Sequence, residues 1–406
     1  MSTTSPNPRQ ATRDMYRSLL FSVYLPSFLM SICQGSVLLV IPLFALDLGA
    51  DVGITALVFS LRGLGNMMFD VPAGYATGRL GDRTVMIIGV SMMAVAGIFT
   101  SQASSPLQLA IAAFIFGGAM ATWLLARLAH ISEKVPSFQR GKAISTMAGI
   151  QRFGNLLGPV TSGFIAHQYG FEYVFFGIAC IACTALVLVL IAVKKNQKSA
   201  LDEKSPGLMT VVPDLLRRHM QIFATAGFAV LCLTILRSSR QLLIPLWGES
   251  IGLDTASIGL VVSASASVDM VMFPLAGYMM DNLGRRYAAI SCQLTLALGI
   301  FLIPLTSNFV ELVAVAILAG AGNGLGSGIV MTLGADFAPP ESRGEFLGLW
   351  RLISDSGSFA GPMLLGYIAS SIALASTFAV VSSLGLLGAA VMWFLVKEPL
   401  VKESHQ

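Results

Sequence analysis

Nine ionisable side chains lie within the long apolar stretches that fill this 406-residue chain. Three are carboxylates and six are guanidinium groups: Asp70, Asp269, Asp355, Arg62, Arg127, Arg152, Arg237, Arg240 and Arg351. Ionisable groups are costly in an apolar medium and are tolerated there when they face a cavity or a partner. A buried carboxylate can carry a proton, because desolvation raises its pKa and a neighbouring arginine lowers it again. These residues therefore predict proton binding and recognition of charged solutes.

Helical spacing groups several of these side chains. Arg62, Asn66 and Asp70 recur every four residues, which places them along one stripe of a helix. Arg351 and Asp355 are also four residues apart, a spacing that favours an ion pair within one helix. We therefore expect charged stripes rather than isolated buried charges.

Two deep carboxylates, Asp269 and Asp355, are the predicted proton-binding groups. Each is expected to alternate between a free state and a pair with an arginine, Arg152 or Arg351. Protonation would then bias a switch between two arrangements of the same helices.

The elements that carry these residues are membrane spans. Hydrophobic residues make up 55% of the chain, charged residues make up 11%, and the mean hydropathy is +0.77. A soluble domain needs more polar surface than this, and a helix needs about 20 apolar residues to cross a bilayer. Apolar runs separated by polar, Gly or Pro clusters predict an all-α membrane protein with twelve transmembrane helices: 18–46, 54–77, 84–102, 106–131, 142–166, 171–193, 219–247, 256–280, 286–305, 309–335, 344–369 and 373–396.

The chain divides into two six-span halves, 18–193 and 219–397, joined by a polar linker at 194–218. Lysine and arginine collect in the linker and in the loops that follow even-numbered spans, which predicts that both terminal tails, 1–17 and 398–406, are cytoplasmic. The expected location is a cell membrane, taken to be a bacterial inner membrane, with the lipid bilayer as partner.

The two halves repeat one another with an offset of 203 residues. GYATGRLGDR begins at Gly74, and GYMMDNLGRR begins at Gly277. The same offset relates further residues along the halves: Arg140 and Arg343, Gly141 and Gly344, Gly158 and Gly361, Pro159 and Pro362. Because six spans return to the same side, the repeats are parallel, an arrangement known from alternating-access transporters.

The sequence resembles the major facilitator superfamily over nearly its whole length. The loops after spans 2 and 8 resemble the family pattern G-x-x-x-D-R-x-G-R-R. The matching residues are Gly74, Arg79, Gly81 and Arg83 in the first loop and Gly277, Asp281, Gly284, Arg285 and Arg286 in the second. The resemblance implies that these residues control opening and closing. In the first loop Gly78 replaces the acid and Asp82 replaces an arginine, so we expect a latch rebuilt with Asp70 or Asp82, or a weaker one.

Span 5 contains RFGNLLGPVTSG, which resembles the G-x-x-x-G-P-x-x-G-G signature of proton-coupled drug exporters. Gly154, Gly158, Pro159 and Gly163 match, while Ser162 replaces one glycine. A similar run, GSFAGPMLLG, recurs in span 11, and both runs also fit ordinary packing and bending of membrane helices. The signature therefore favours export over import without deciding it.

The resemblance also assigns roles to the remaining residues. It implies that the third helix of each three-helix unit faces lipid, and spans 3, 6, 9 and 12 hold none of the nine charges. The implied solute cavity contains Gln34, Arg152, Arg237, Arg240, Asn323 and Arg351. The implied gating set adds Arg62, Asp70, Arg127, Gly154, Gly158, Pro159, Gly361 and Pro362. For Arg127 the alternative is a side chain that extends to the membrane interface.

The predicted function is secondary transport by alternating access, with proton-coupled efflux of small amphipathic compounds as the favoured reading. The alternative is proton-coupled transport of an organic anion in either direction, because six arginines against three aspartates leave a formal charge of +3 inside the spans. The sequence shows no phosphate-binding loop, nucleophile elbow or zinc pattern. We therefore expect no enzyme activity, no cofactor, no metal and no nucleic-acid partner, and we expect a monomer.

Overall fold

The computed structural model describes residues 17–193 and 215–399, so most of the predicted linker and of the two predicted tails lies outside the described residues. The described part is an all-helical bundle of twelve long helices, which confirms the predicted fold class. In chain order they are α1 (Arg17–Asp47), α2 (Val52–Leu80), α3 (Asp82–Thr100), α4 (Pro106–Lys134), α5 (Ser137–Tyr169), α6 (Phe171–Ala192), α7 (Met220–Ser250), α8 (Thr255–Asn282), α9 (Arg285–Leu305), α10 (Phe309–Phe337), α11 (Arg343–Ser371) and α12 (Leu374–Phe394).

Ten of these helices are long and apolar enough to cross a membrane. The other two, α5 and α11, have 33 and 29 residues and are the helices with charged side chains in both their first turns and their middles. Their length and their place in the repeat make them spans as well.

The repeat is visible in irregular backbone as well as in sequence. A π-helical turn at Leu20–Tyr24 in α1 has its counterpart at Phe223–Gly227 in α7, at the same offset of 203 residues. Gly81 and Gly284, also related by this offset, adopt φ values of +83° and +119° and form the tight turns before α3 and α9. A side chain with a Cβ would be strained at such angles.

Short loops with side-chain caps join the helices at the other end of the bundle. Asp51 accepts a hydrogen bond from the Ile54 amide at the start of α2, and Asp254 accepts one from the Ser257 amide at the start of α8. These side chains satisfy backbone donors that the first turn of a helix leaves free. We call this end of the bundle the capped end, and the end with the α2–α3 and α8–α9 loops the basic end.

The halves meet through two equivalent helix pairs, α5 with α8 and α2 with α11, and through α1 with α7. Near the capped end these contacts are close: a Cβ on Gly259 would lie 2.5 Å from the Pro159 carbonyl oxygen, and one on Gly366 would lie 2.7 Å from the Ala56 Cβ. Small residues allow this approach of helix backbones.

Near the basic end the same helices have free space. A Cβ added at Gly74, Gly277, Gly344 or Gly348 would meet nothing within 4 Å. The two halves are therefore closed against each other at the capped end and parted at the basic end.

The helices predicted to face lipid expose large apolar side chains, among them Val95 in α3, Ile191 in α6, Phe301 in α9 and Phe394 in α12. Several helices extend beyond the predicted spans, as α5 does at Ser137–Tyr169 against 142–166, and one extension changes the place of a candidate residue. Asp82, expected in the loop, is the first residue of α3, and its side chain is buried against α4. The tight turn at Gly81 starts the helix earlier than the apolar run does.

Candidate functional site: two ion-paired cavities between the halves

An ion pair joins α5 to α8 near the middle of the bundle. Nη1 of Arg152 lies 2.9 Å from Oδ1 of Asp269, and the side-chain amide of Asn323 on α10 donates to the other carboxylate oxygen. The Arg152 guanidinium also lies 4.5 Å from the centre of the Phe273 ring, close enough for a cation–π contact. Three helices from both halves thus hold one carboxylate.

A cavity of about 220 Å³ opens beside this carboxylate; we call it the central cavity. Arg240 of α7 lines it and donates a 2.6 Å hydrogen bond to the Ser265 hydroxyl. Arg240 has no ion-pair partner within the described residues. The apolar part of the wall consists of Gly35, Leu38, Pro159, Ile244, Val262 and Ala266, and neutral polar side chains, among them Asn323, make up the rest. The central cavity therefore combines a paired acid, one unpaired guanidinium and a partly apolar wall.

Arg237 does not line this cavity, although it shares a helix with Arg240. Its Nη2 donates a 2.8 Å hydrogen bond to the Gly326 carbonyl. Gly326 stands where α10 is interrupted between Leu325 and Ile329, with Gly328 at a φ of +84°. A broken helix frees backbone carbonyls, which are tolerated inside a membrane protein when another group satisfies them. Arg237 was predicted to line the solute cavity, but it does not line the central cavity. It binds the backbone at the interruption of α10 instead.

The predicted cavity residue Gln34 lies half-buried on α1, next to Gly35 of the central cavity wall. Asn155 and Gln241 also line the cavity and were not singled out from the sequence. Neutral polar residues inside a span carry a weaker sequence signal than charged ones do.

A second ion-pair cluster joins α2 to α11, closer to the basic end. Arg351 binds two carboxylates, with Nη2 at 2.8 Å from Asp70 Oδ1 and Nε at 3.3 Å from Asp355 Oδ2. The pair within α11 confirms the spacing prediction. The pair with Asp70 crosses between the halves, and it moves Arg351 from the predicted central cavity to this cluster.

A larger cavity of about 440 Å³ lies beside Asp70 and Arg351; we call it the vestibule. Its apolar wall consists of Met67, Val71, Leu125 and Leu352. Glu345 of α11 also lines it, half-buried and without an ion pair or hydrogen bond within the described residues.

The predicted gating loop of the second half is a charge cluster. Nη1 of Arg285 lies 3.1 Å from Oδ1 of Asp281, and Nε of Arg285 lies 3.1 Å from Oδ2 of Asp336 at the end of α10. The Glu398 carboxylate accepts hydrogen bonds from the backbone amides of Arg285 and Arg286, which begin α9. Asp336 and Glu398 were not predicted, because nothing in their local spacing relates them to the loop.

The equivalent loop of the first half is built differently. Asp82 pairs with the buried His130 of α4, and Arg83 donates a 3.0 Å hydrogen bond to the Leu190 carbonyl of α6. Arg79 lies 4.8 Å from the centre of the Tyr75 ring. Of the two acids expected for a rebuilt latch, Asp82 bonds within its own half, whereas Asp70 pairs with Arg351 across the halves.

Two further arginines of the gating set have no ion-pair partner in the described part of the chain. Arg62 lies 5.2 Å from the centre of the Phe59 ring. Arg127 is fully buried, and all three of its guanidinium nitrogens lack a hydrogen-bond partner. The alternative reading of Arg127 as a side chain that reaches the interface is therefore wrong.

Gly154 and Gly158 of the span 5 signature pack α5 against α1, and Gly163 packs it against α8. A Cβ on Gly154 would lie 2.6 Å from the Ser31 Cβ, and one on Gly158 would lie 2.6 Å from the Ile32 carbonyl oxygen. In the second half, a Cβ on Gly361 would lie 2.5 Å from the Ser238 hydroxyl of α7. These close approaches support the packing interpretation of both runs.

Comparison with known proteins places the chain in a family. The family model described as Major Facilitator Superfamily matches residues 23–239 and 226–406. The multidrug resistance protein MdtG of Proteus mirabilis is 23% identical over 402 residues, covering 95% of this chain and 98% of that protein. The MFS-type transporter YuxJ of Bacillus subtilis is 28% identical over 286 residues, covering 68% of this chain and 71% of its own. The crystal structure of a D-xylose-proton symporter has the same fold, with a TM-score of 0.73 and 16% identity over 94% of this chain and 98% of that one.

Proposed function

The chain belongs to the major facilitator superfamily, a family of transporters, and we propose that it is a proton-coupled exporter of small amphipathic compounds. The observation that carries the proposal is the Arg152–Asp269 pair, which joins the two halves at a cavity with a partly apolar wall. A carboxylate in that position exchanges its arginine for a proton when the halves move. Export is supported by the likeness to MdtG along nearly the whole chain.

We take the basic end to be cytoplasmic, since Lys and Arg remain on that side of membrane proteins. The arrangement described above is then an inward-facing one, with the capped end closed and the vestibule open towards the cytoplasm. A compound enters at the basic end, and the halves rock about the central ion pair to release it on the other side. Both chain ends would then lie in the cytoplasm, and a bacterial inner membrane is the location that we propose.

Coupling follows from charge balance at the central cavity. In this arrangement Asp269 is paired with Arg152. In the outward-facing state Asp269, parted from Arg152, takes up a proton from outside, and it releases that proton to the cytoplasm when the pair forms again. Outward movement of the solute then exchanges with inward movement of the proton.

The test is transport by purified protein in proteoliposomes with an imposed pH gradient. Lipophilic cations and organic anions are compared, with a protonophore to collapse the gradient. Gradient-driven cation flux that the protonophore abolishes supports the proposal. The matched control is Glu249→Gln, which removes an exposed carboxylate at the capped end of α7 and leaves both cavities intact.

Transport of an organic anion is the second candidate, and Arg240 is the observation that favours it. Its guanidinium lines the central cavity without an ion-pair partner among the described residues. Saturable anion flux that is lost in Arg240→Ala, with no cation flux, would replace the first proposal by this one. The case is weaker than the arginine count suggests, since Arg237 is bound to a carbonyl and Arg152 is paired.

A further inference from the structure

We propose that the vestibule between α2 and α11 is a binding site for lipophilic organic cations, separate from the central cavity. The proposal names a substrate class for the exporter function above, and it rests on that function only for its physiological role. Binding itself can be measured without transport.

The size and the wall of the vestibule fit an amphipathic ligand. Its volume of about 440 Å³ lies within the usual range of about 300–1,000 Å³ for small-molecule sites. Val71 of α2 and Leu352 of α11 both line the vestibule and are 64% and 48% exposed. A ligand that covers these side chains removes apolar surface from water, which favours binding.

The charge of the vestibule selects a cation. Asp70 and Asp355 share one arginine, Arg351, and Glu345 has no partner among the described residues. Asp70 and Glu345 against Arg351 leave a formal charge of −1 in the lining itself, and Asp355, which pairs with Arg351 just outside the lining, adds a second negative charge. The third contributing helix, α4, adds only Leu125 to the lining.

The central cavity has the opposite balance. Arg240 and Asp269 balance each other in the lining itself, and Arg152, which pairs with Asp269 just outside the lining, adds one positive charge. Like charge disfavours binding of a cation in the central cavity, and opposite charge favours its binding in the vestibule. A cation that enters from the basic end therefore binds first in the vestibule.

Cation binding in the vestibule would weaken the contact between the halves, because Arg351 is shared by two carboxylates. A cation that binds Asp70 competes with Arg351, which keeps its second carboxylate, Asp355, on its own helix. The contact that is lost is the one that joins the halves. Occupation of the vestibule thus loosens α2 from α11 without leaving a charge unpaired.

The experiment measures equilibrium binding of tetraphenylphosphonium to the full chain in detergent, with tetraphenylborate as the anion of the same shape and empty micelles as the background. We expect the cation to bind at least about tenfold more tightly than the anion, because two formal charges of opposite sign are close to it. Glu345→Gln should weaken cation binding about fivefold, as expected for loss of one partly solvated charge, and Glu249→Gln should leave it unchanged. Asp70→Asn is the second variant, on the other helix of the site.

Equal affinity for the two probes would overturn the proposal. So would cation binding that is unaffected by both Glu345→Gln and Asp70→Asn, or that is lost in Asp269→Asn alone. Glu345-dependent binding without gradient-driven flux would retain the site and exclude the exporter function. Gradient-driven cation flux with Glu345-independent binding would retain the function and exclude the site.

Discussion

The two helix pairs that join the halves are equivalent by the repeat, yet they bear different ion pairs. The 203-residue offset relates Arg152 of α5 to Asp355 of α11, and Asp269 of α8 to Asn66 of α2. In the α5–α8 pair these two positions form the cross-half ion pair. In the α2–α11 pair they are Asp355 and Asn66, and the cross-half ion pair has moved one turn towards the basic end, to Asp70 and Arg351.

This difference separates two tasks within one scaffold. The α5–α8 pair joins one acid to one base beside the central cavity, so a single proton changes its charge balance. The α2–α11 pair has a spare carboxylate, so its arginine stays paired when one partner is lost. The two repeats therefore differ in function at equivalent positions. The Arg152–Asp269 contact is sensitive to a single protonation, and the Arg351–Asp70 contact tolerates the loss of one carboxylate.

The largest effect should come from neutralising the sensitive contact. Asp269→Asn leaves Arg152 and Arg240 beside the cavity with no carboxylate that can take up a proton. The ratio of transport rates with and without a pH gradient should fall to about one, because coupling needs a group that changes protonation. Asp355→Asn should retain a clear dependence on the gradient. Full gradient dependence in both variants would remove both residues as coupling groups.

Double-mutant cycles should rank the two contacts by strength. We expect a coupling energy of about 2 kcal/mol for Arg152 with Asp269 and about 1 kcal/mol or less for Arg351 with Asp70, because both pairs are partly exposed and Arg351 keeps Asp355. Alanine and asparagine variants in thermal-shift assays supply the cycles. A larger value for Arg351 with Asp70 would reverse the assignment of the two tasks.

The two helix pairs also differ in their packing at the capped end. By the repeat, Gly259 of α8 corresponds to Ala56 of α2, so the α5–α8 contact has a hydrogen where the α2–α11 contact has a methyl group. Gly259→Ala places a Cβ 2.5 Å from the Pro159 carbonyl oxygen, which should cost about 1–2 kcal/mol through overpacking. Cysteine labelling at the capped end should then increase.

Two controls accompany this variant. Gly149→Ala, on α5 where an added Cβ meets nothing within 4 Å, should leave the labelling pattern unchanged. Ala56→Gly should have a smaller effect than Gly259→Ala, since it removes one methyl group rather than forcing one in. Labelling that responds alike to Gly259→Ala and Gly149→Ala would contradict a close α5–α8 contact.

The smallest effect is expected at the gating loops. In this state Asp281 is 74% exposed and pairs with Arg285, an arrangement worth at most about 1 kcal/mol. Asp281→Asn should still shift labelling between inward-facing and outward-facing states more than Gly78→Ala does, because position 78 carries no charge to lose. Equal shifts would show that the two loops do not differ as latches.

Much of the architecture can be predicted from local sequence. Apolar run lengths define spans, and the offset of 203 residues defines the halves, because both depend on residues close in sequence or on a strict repeat. The pair within α11 also follows from spacing alone, since residues four apart share a helix face. The lipid-facing helices follow from the family resemblance and agree with the charge map, which alone would not separate them from spans 1 and 10.

The partners across the halves could not be predicted in this way. Asp70 and Arg351 are 281 residues apart. The residues around each of them do not indicate which acid Arg351 pairs with across the halves. Arg127 illustrates the same limit, because its complete burial depends on the helices around it and not on its distance from the end of α4.

By itself, the sequence determined a twelve-span, two-half membrane protein with its charges on the inner helices, because hydropathy and periodicity are local properties that the bilayer enforces. Only the tertiary structure decided that Arg237 supports a broken helix, that Asp82 bonds within its own half, and that Arg351 bridges two carboxylates. Those choices depend on which helix faces come within about 3 Å of each other.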